Sequence, residues 1–231
     1  MRLILFFALI VGSLFAAENP MSLQFTGVKT VHVMSDGSLK EVLIERHSDV
    51  TCNVVGINPE AIFSGDYAGK NVPPACQKSF VTTVGKAQPM SFAQGVTTVG
   101  EVEVLDFIQN KANVKPSEYI LIDARKSDWY EQLTIPSSVN IPFDEIEYDE
   151  AIPEDFERVQ KLLGFQTVGS TYDFSHAKTA LLFCNGIWCV QSRLAIEKLI
   201  KMGYPKEKLM WYRGGLQDWL LLGFSAISPK R

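Results

Sequence analysis

Beyond about residue 95, short apolar runs alternate with stretches in which apolar residues recur every three or four positions. The runs have the length and composition of buried strands, and they occupy 119–122, 139–141, 179–183 and 209–212. The helical spacing is found over 101–108, 153–163, 192–202 and 215–219. Strands that alternate with helices predict an α/β fold, with an open and mainly parallel sheet flanked by helices on both faces.

The expected helix boundaries rest on residues with known preferences for helix ends. Thr98 and Glu101 have the spacing of a capping box, which predicts the start of the first helix. Pro153 suits the first turn of the second helix, because it has no amide proton to leave unpaired. Ser192 is the expected N-cap of the helix after 179–183, and Gly203 is expected to end it.

Residues 1–17 have the layout of a secretory signal peptide. A positive Arg2 precedes an apolar run, and Ala16 and Ala17 offer small residues to a peptidase. The run is shorter than the roughly 20 residues of a spanning helix. We therefore expect a secreted protein of the bacterial periplasm, without a stable membrane span after cleavage of the signal.

Residues 18–94 read as short strands and turns, and we interpret them as a small β-rich N-terminal extension of unknown role. The alternation on either side of 35–38, which contains Gly37, predicts a hairpin there. His32 and His47 have no partner at a metal-binding spacing, and His176 is expected at the surface. The sequence predicts neither a cofactor nor a metal. The remaining residues, 95–231, are expected to form one domain.

Charge and cysteine content narrow the choice of partners. The net charge is −4, and the chain lacks the basic patch that binding to phosphates needs, so nucleic acid is excluded. Export would place the four cysteines where disulfides persist, and four thiols allow three full pairings. The local separation of the cysteines favours a structural Cys52–Cys76 disulfide and leaves Cys184 and Cys189 as a second pair.

Cys184 is the predicted catalytic nucleophile. It follows a buried strand directly and precedes a helix, and ligands of parallel sheets bind at the carboxyl ends of strands. The free amides and dipole at a helix start stabilise a thiolate, so we expect a lowered pKa for Cys184; an inert buried cysteine is the alternative. The same amides suit a substrate with negative oxygens. The expected anion cradle comprises Asn185, Gly186, Ile187, Trp188, Cys189, Val190, Gln191, Ser192 and Arg193.

From about residue 95 to residue 224, the chain resembles a rhodanese domain. Five motifs carry the resemblance, in the order and with the spacing of that family. They are Leu121-Ile122-Asp123-Ala124-Arg125; Thr134-Ile135-Pro136 with Asn140-Ile141-Pro142; Leu182-Phe183-Cys184; Gly203-Tyr204; and Tyr212-Arg213-Gly214-Gly215-Leu216-Gln217-Asp218-Trp219. The N-terminal extension lies outside the resemblance.

The resemblance implies a sulfurtransferase. The Cys184 thiolate would attack the outer sulfur of a donor such as thiosulfate, release sulfite and hold the sulfur as a persulfide. A thiophilic acceptor, such as a thiol protein, would then remove it. The donor would be a small inorganic or organic sulfur compound. The residues to which the resemblance gives structural roles are Asp123, Arg125, Arg213 and Trp219.

The loop after Cys184 departs from the family pattern. It is two residues longer, and Cys189 stands where the family often has an anion-binding Arg. Arg193 either turns inward or lies on the helix surface, and Trp188 is expected to form a wall of the pocket. Cys189 either resolves an oxidised or persulfidated Cys184 or packs under the loop.

Two further functions follow from this departure. The domain could be a non-catalytic sulfur-carrier or redox-binding module with a Cys184–Cys189 disulfide. The wider loop would also admit a phosphate group, as in the cysteine phosphatases, although the Arg that would clamp it is missing at the usual place.

Overall fold

The computed structural model describes residues 27–45 and 88–230. The expectations for the signal peptide, for His47 and for the Cys52–Cys76 disulfide lie outside these residues. The described strands are β1 (Val28–Val33), β2 (Leu39–Ile44), β3 (Thr97–Val99), β4 (Tyr119–Asp123), β5 (Val139–Asn140), β6 (Gln166–Val168), β7 (Thr171–Asp173), β8 (Thr179–Phe183) and β9 (Leu209–Tyr212).

Five α-helices lie between these strands or follow them in the described part of the chain. They are α1 (Glu101–Asp106), α2 (Ser127–Gln132), α3 (Pro153–Leu163), α4 (Gln191–Met202) and α5 (Gly215–Leu221). A π-helical turn (Phe107–Ala112) continues α1, and a short 3-10 turn (Lys206–Lys208) precedes β9. None of the helices within 27–45 and 88–230 combines the length and apolar character needed to span a membrane.

Five parallel strands form the central sheet, in the order β3-β9-β8-β4-β5. β8 therefore lies in the middle, with β9 on one side and β4 on the other. The pairs β1–β2 and β6–β7 form two separate antiparallel sheets that share no strand hydrogen bonds with it. This arrangement confirms the predicted α/β class and the predicted mainly parallel sheet.

Helices cover both faces of the sheet. Successive side chains of a strand point to opposite faces, so each strand packs against helices on both sides. In β4, Ile120 and Ile122 belong to one apolar cluster, and Leu121 belongs to the other. The first cluster includes residues of α3 and α4, and the second includes residues of α1 and α5. Strands buried on both faces explain why their sequences read as continuous apolar runs.

Two predicted helix starts were wrong in their details. Thr98 lies in β3, and α1 begins at Glu101 after Gly100 as the N-cap. The carboxylate of Glu103 accepts a hydrogen bond from the Gly100 amide at 3.0 Å. The second case is the helix after β8: Val190 is its N-cap, and Ser192 lies inside its first turn.

The predicted hairpin is formed by β1 and β2, and it packs against the part of the chain that forms the central sheet and its helices. Its inward-facing Val28 and Ile44 belong to the same cluster as α1 and α5. Thr30 donates a hydrogen bond to the Asn113 side chain at 2.7 Å, and that side chain donates to the Lys29 carbonyl at 2.7 Å. The described start of the extension is therefore joined to the domain by apolar and polar contacts.

The hairpin contact can be tested with two substitutions that remove similar side chains. Ile44 is 0% exposed, whereas Leu39 on the same strand is 71% exposed. We expect Ile44→Ala to lower the free energy of unfolding by about 2–5 kcal/mol, because it leaves a cavity in the core. Leu39→Ala should change it by less than about 0.5 kcal/mol. Denaturant titration measures both, and equal effects would contradict the docking of the hairpin.

Candidate active site

Cys184 lies at the carboxyl end of the central strand of the sheet. β8 ends at Phe183, and α4 begins at Gln191. Between them, residues 184–190 form a curled segment, which we call the site loop. The Cys189 amide donates to the Gly186 carbonyl at 2.9 Å and closes a turn within it. The loop therefore brings its two cysteines to the same side of one strand end.

The start of α5 holds the first residues of the site loop by their backbone. The Leu216 amide donates to the Cys184 carbonyl at 2.9 Å, and the Gln217 amide donates to the Asn185 carbonyl at 2.8 Å. Gly215 allows this approach. Its φ of +62° favours glycine, and a Cβ there would lie 2.4 Å from the Cys184 carbonyl oxygen.

The Cys184 thiol is buried and receives a hydrogen bond from Ser192. Only 2% of Cys184 is exposed. The Ser192 hydroxyl lies 3.1 Å from the Cys184 sulfur and 2.9 Å from Nε1 of Trp211. Because Trp211 can only donate, the Ser192 oxygen accepts from it, and the hydroxyl proton is left for the sulfur. Ser192 thus contacts Cys184, the predicted nucleophile, directly, instead of capping the helix.

Cys189 lies against Cys184 and is also buried, with 5% of its surface exposed. Both thiols are free, and each is close enough to the other to shift its pKa. The Cys184 sulfur lies 3.5 Å from the Cys189 carbonyl oxygen. The Asn185 side-chain nitrogen lies 3.7 Å from the Cys189 sulfur, and the backbone amides of Asn185 and Gln191 donate to that sulfur. The cradle therefore holds two sulfur atoms.

The pKa values of the two thiols move in opposite directions. Burial raises the pKa of Cys184 well above its ordinary value, and the neighbouring Cys189 raises it further, although Ser192 opposes this. The pKa of Cys189 is lowered to about 6, first by the hydrogen bond from Cys184 and then by the amides of Asn185 and Gln191. At neutral pH the pair therefore carries one negative charge on Cys189. This differs from the expected thiolate at Cys184, because burial outweighs the helix terminus there.

A buried ion pair joins the end of β4 to the site loop. The carboxylate of Asp123 accepts from Nε and Nη2 of Arg125 at 2.9 and 2.6 Å, and both residues are almost fully buried. Arg125 also donates to the side-chain oxygen of Asn185 at 3.4 Å. Since an Arg can only donate, this contact sets the orientation of the Asn185 amide and leaves its nitrogen facing Cys189.

The outer side of the site loop is covered by Gln88, which belongs to the described end of the extension. Its amide donates to the Ile187 carbonyl at 2.6 Å, and its side chain donates to the Trp188 carbonyl at 3.2 Å. Arg213 donates to the Gln88 carbonyl at 2.7 Å. The half-buried Trp188 ring donates from Nε1 to the Gln217 side chain at 2.8 Å. Trp188 thus connects the loop to α5, and Arg213 holds Gln88 against the loop.

The remaining predicted site residues lie apart from the two sulfur atoms. Arg193 is half-buried, and its buried Nε lies 3.5 Å from a carboxylate oxygen of Glu197 one helical turn later, without a hydrogen-bond partner among the described residues. Val190 is exposed, and Trp219 is fully buried with Nε1 donating to the Ser225 carbonyl at 2.8 Å. No cluster of metal-binding side chains occurs within the described residues.

The histidines are also separate from the site loop in the part of the chain that the structure describes. His32 is fully buried on β1, with Nε2 lying 3.3 Å from the Tyr130 hydroxyl. Burial and the charge of Lys40 lower the pKa of His32 to about 4, so the ring is neutral at neutral pH. His176 is exposed, as expected.

Ser192 was predicted in the cradle, but the contact of its hydroxyl with Cys184 was not. Three residues of the site were missed from the sequence: Trp211 donates to Ser192, Gln217 accepts from Trp188, and Gln88 reaches the loop from outside the recognised motifs. The Gly214-Gly215 pair was visible as a turn, but its approach to Cys184 depends on how α5 meets β8.

A model of the rhodanese-like domain family matches residues 103–222, so this chain belongs to the rhodanese-like family. No curated protein matches it. Among solved structures, it is similar to the BH2092 protein from Bacillus halodurans (18% identity over 58% of this chain and 78% of that one, TM-score 0.42). It is also similar to a rhodanese with anions from E. coli (27% identity over 43% of this chain and 89% of that one, TM-score 0.30). A thiosulfate sulfurtransferase from Pseudomonas aeruginosa is a further match (18% identity over 57% of this chain and 20% of that one, TM-score 0.36).

The tight contact between α5 and the site loop predicts unequal effects at two glycines with the same backbone conformation. Gly215 and Gly169 have φ values of +62° and +61°, but only Gly215 has atoms within 4 Å of an added Cβ. Gly169→Ala should cost roughly 1–2 kcal/mol, the usual penalty of the left-handed region. Gly215→Ala should cost about 1–3 kcal/mol more, because the Cys184 backbone must move. Denaturant titration measures both, and equal costs would contradict the tight contact.

The lowered pKa of Cys189 predicts the pH dependence of its alkylation. Iodoacetamide reacts with the thiolate, so the rate at Cys189 should rise with pH through about 6 and level off above it. Cys184→Ala removes the first cause of the lowered pKa and should move the midpoint upward.

Peptide-resolved mass spectrometry gives these rates. An exposed thiol introduced by Ser170→Cys, in the turn between β6 and β7, serves as the reference and should titrate near about 8.5. A Cys189 midpoint equal to that of the reference thiol would contradict the assigned charge state.

Proposed function

We propose that this protein is a sulfurtransferase that moves sulfane sulfur from a thiosulfate or polysulfide type donor to a thiophilic acceptor through a Cys184 persulfide. The observation that carries the proposal is the position of Cys184. Its sulfur lies at the carboxyl end of β8 and receives hydrogen bonds from the hydroxyl and amide of Ser192 at the start of α4. Membership of the rhodanese-like family supports the same class of activity.

Cys189 supplies the base that this chemistry needs. Cys184 is protonated at neutral pH because it is buried, but it lies beside Cys189, which carries the negative charge. Transfer of the proton to Cys189 makes Cys184 the thiolate at the moment of attack. Its sulfur then bonds to the outer sulfur of thiosulfate, the sulfur–sulfur bond of the donor breaks, and the electron pair leaves with sulfite.

Hydrogen-bond donors remain in place around the product. The Ser192 hydroxyl faces the inner sulfur of the persulfide, and the side-chain amide of Asn185 faces the neighbouring Cys189. Donors that are already oriented stabilise a developing negative charge without further reorganisation. Since both cysteines are buried, the donor reaches Cys184 only when the site loop opens.

A second candidate function is a redox-binding module that stores a Cys184–Cys189 disulfide. The hydrogen bond between the two free thiols favours it, because a disulfide needs two sulfurs that can approach each other. A phosphatase has less support. Cys189 occupies the place of the anion-binding Arg, and Arg193 is paired with Glu197.

We also propose that the protein acts after export, in the bacterial periplasm, with a thiol protein as sulfur acceptor. Support comes from the signal-like residues 1–17. In that compartment both thiols of the site would need a reductant to remain free.

The sulfurtransferase proposal predicts a rapid release of sulfite that depends on Cys184. The reduced protein, mixed with thiosulfate, should release sulfite in an amount equal to the amount of protein. Cys184→Ser should abolish this release, because an alcohol does not form a persulfide. Sulfite trapped with a thiol-reactive dye gives the amount.

A matched control keeps the number of cysteines constant. The double variant Cys184→Ser/Ser170→Cys carries an exposed thiol outside the cradle and should release no sulfite. Release by this double variant would show that any thiol suffices. Absence of release from the wild-type protein, with thiosulfate and with polysulfide, would overturn the proposed function.

A further inference from the structure

The site loop holds a second sulfur atom that transfer to an outside acceptor does not require. The Cys189 carbonyl oxygen lies 3.5 Å from the Cys184 sulfur, the atom that becomes the inner sulfur of a persulfide, and the two side chains are close enough to shift each other's pKa. An outside acceptor removes sulfane sulfur by attacking the outer sulfur. A neighbour in contact with the inner sulfur is instead placed to displace the outer one. The two directions of attack give different products.

We propose that this site reduces sulfane sulfur: Cys189 attacks the inner sulfur of the Cys184 persulfide, releases sulfide and leaves a Cys184–Cys189 disulfide. This inference rests on the proposed function, because it needs the persulfide that the first step forms. It adds a product, sulfide, and a class of partner, an external dithiol that returns the disulfide to two thiols.

Atoms and electrons balance within the protein and one thiosulfate. In the first step the bond between Cys184 and the outer sulfur forms, and sulfite leaves with the electron pair of the broken bond. In the second step the Cys189–Cys184 bond forms, and the electron pair of the persulfide bond leaves on the outgoing sulfide. The two cysteines are oxidised by two electrons, and the sulfane sulfur is reduced by two. The one thiol proton of the pair, which passes from Cys184 to Cys189 in the first step, moves to the outer sulfur of the persulfide before Cys189 attacks and leaves with it as HS⁻.

The contacts of Cys189 favour its role as the attacking group. Asn185 directs its side-chain nitrogen to the Cys189 sulfur at 3.7 Å, and Arg125 holds the other end of that amide at 3.4 Å. The amides of Asn185 and Gln191 donate to the same sulfur. With a pKa of about 6, Cys189 is a thiolate at neutral pH and lies close to the optimum for an attacking thiol.

The contacts of Cys184 favour attack on its own sulfur. Ser192 holds that sulfur from one side at 3.1 Å, and Cys189 lies on another. Burial also separates the inner sulfur from outside thiols, since Cys184 is 2% exposed. A buried persulfide next to a fixed thiolate reacts within the site sooner than with a dissolved thiol, because the neighbour is already in place.

The experiment measures three products after one turnover without added reductant. The wild-type protein, Cys189→Ser and Cys184→Ser are reduced, freed of reductant and mixed with thiosulfate. Sulfite and sulfide are quantified, and the tryptic peptide 179–193, which contains both cysteines of the site but neither Cys52 nor Cys76, is examined by mass spectrometry.

We expect the wild-type protein to release sulfite and sulfide in equal amounts and to yield a peptide that has lost two hydrogens and resists alkylation. Cys189→Ser, which lacks the base, should release sulfite more slowly but to the same final amount, should release no sulfide, and its peptide should retain one extra sulfur. Added dithiothreitol should restore repeated turnover to the wild-type protein. Cys184→Ser should give neither product.

The possible failures are distinguishable. A persistent persulfide in the wild-type protein, with sulfite but without sulfide, overturns this inference and leaves the sulfurtransferase intact. Release of sulfite by none of the proteins overturns the proposed function itself. Sulfide release by Cys184→Ser overturns the assigned order of the two cysteines. If Cys189→Ser unfolds, Cys189→Ala provides the same comparison, and thermal unfolding identifies the folded variant.

Discussion

The site depends on the close approach of α5 to the backbone of Cys184. The amides of Leu216 and Gln217 donate hydrogen bonds to the carbonyls of Cys184 and Asn185, and Gly215 leaves room for this close approach. With these carbonyls turned towards α5, the side of the loop that faces α4 is free to hold sulfur. A side chain at position 215 would collide with the Cys184 backbone. The same glycine is therefore needed for the packing of α5 and for the position of the predicted nucleophile.

Two opposing electrostatic effects act on the cysteines of the loop. A helix start stabilises an anion by about 0.3–1 kcal/mol at an exposed position, whereas full burial can shift a pKa by up to about 3–5 units. Burial therefore prevails at Cys184, and the negative charge resides on Cys189, which has more amide donors. The second cysteine makes this arrangement workable, because it takes the proton that a buried nucleophile would otherwise retain.

Much of the fold was predictable because it rests on local patterns. The buried strands β4, β8 and β9 read as apolar runs, and Gly203 ends its helix as predicted, with a positive φ. The capping of α1 was misplaced because Gly100 and Glu103 form an equally local pattern two residues further on. Strand alternation in the hairpin was also visible, whereas its docking depends on distant partners such as Asn113.

The site was only partly predictable, because its contacts join distant segments. The position of Cys184 at a strand end follows from sequence order, but its burial and the hydrogen bond from Ser192 do not. Gln88 reaches the site loop from outside every motif.

In the proposed reaction, Cys184 takes the outer sulfur of the donor, and Cys189 then attacks the resulting persulfide. The most direct measurement uses thiosulfate in which only the outer sulfur is isotopically labelled, and follows the label after rapid quenching. The account predicts that the label appears first on Cys184 and then in sulfide, while the sulfite remains unlabelled. Label that never appears on Cys184, or that appears in sulfite, would contradict it.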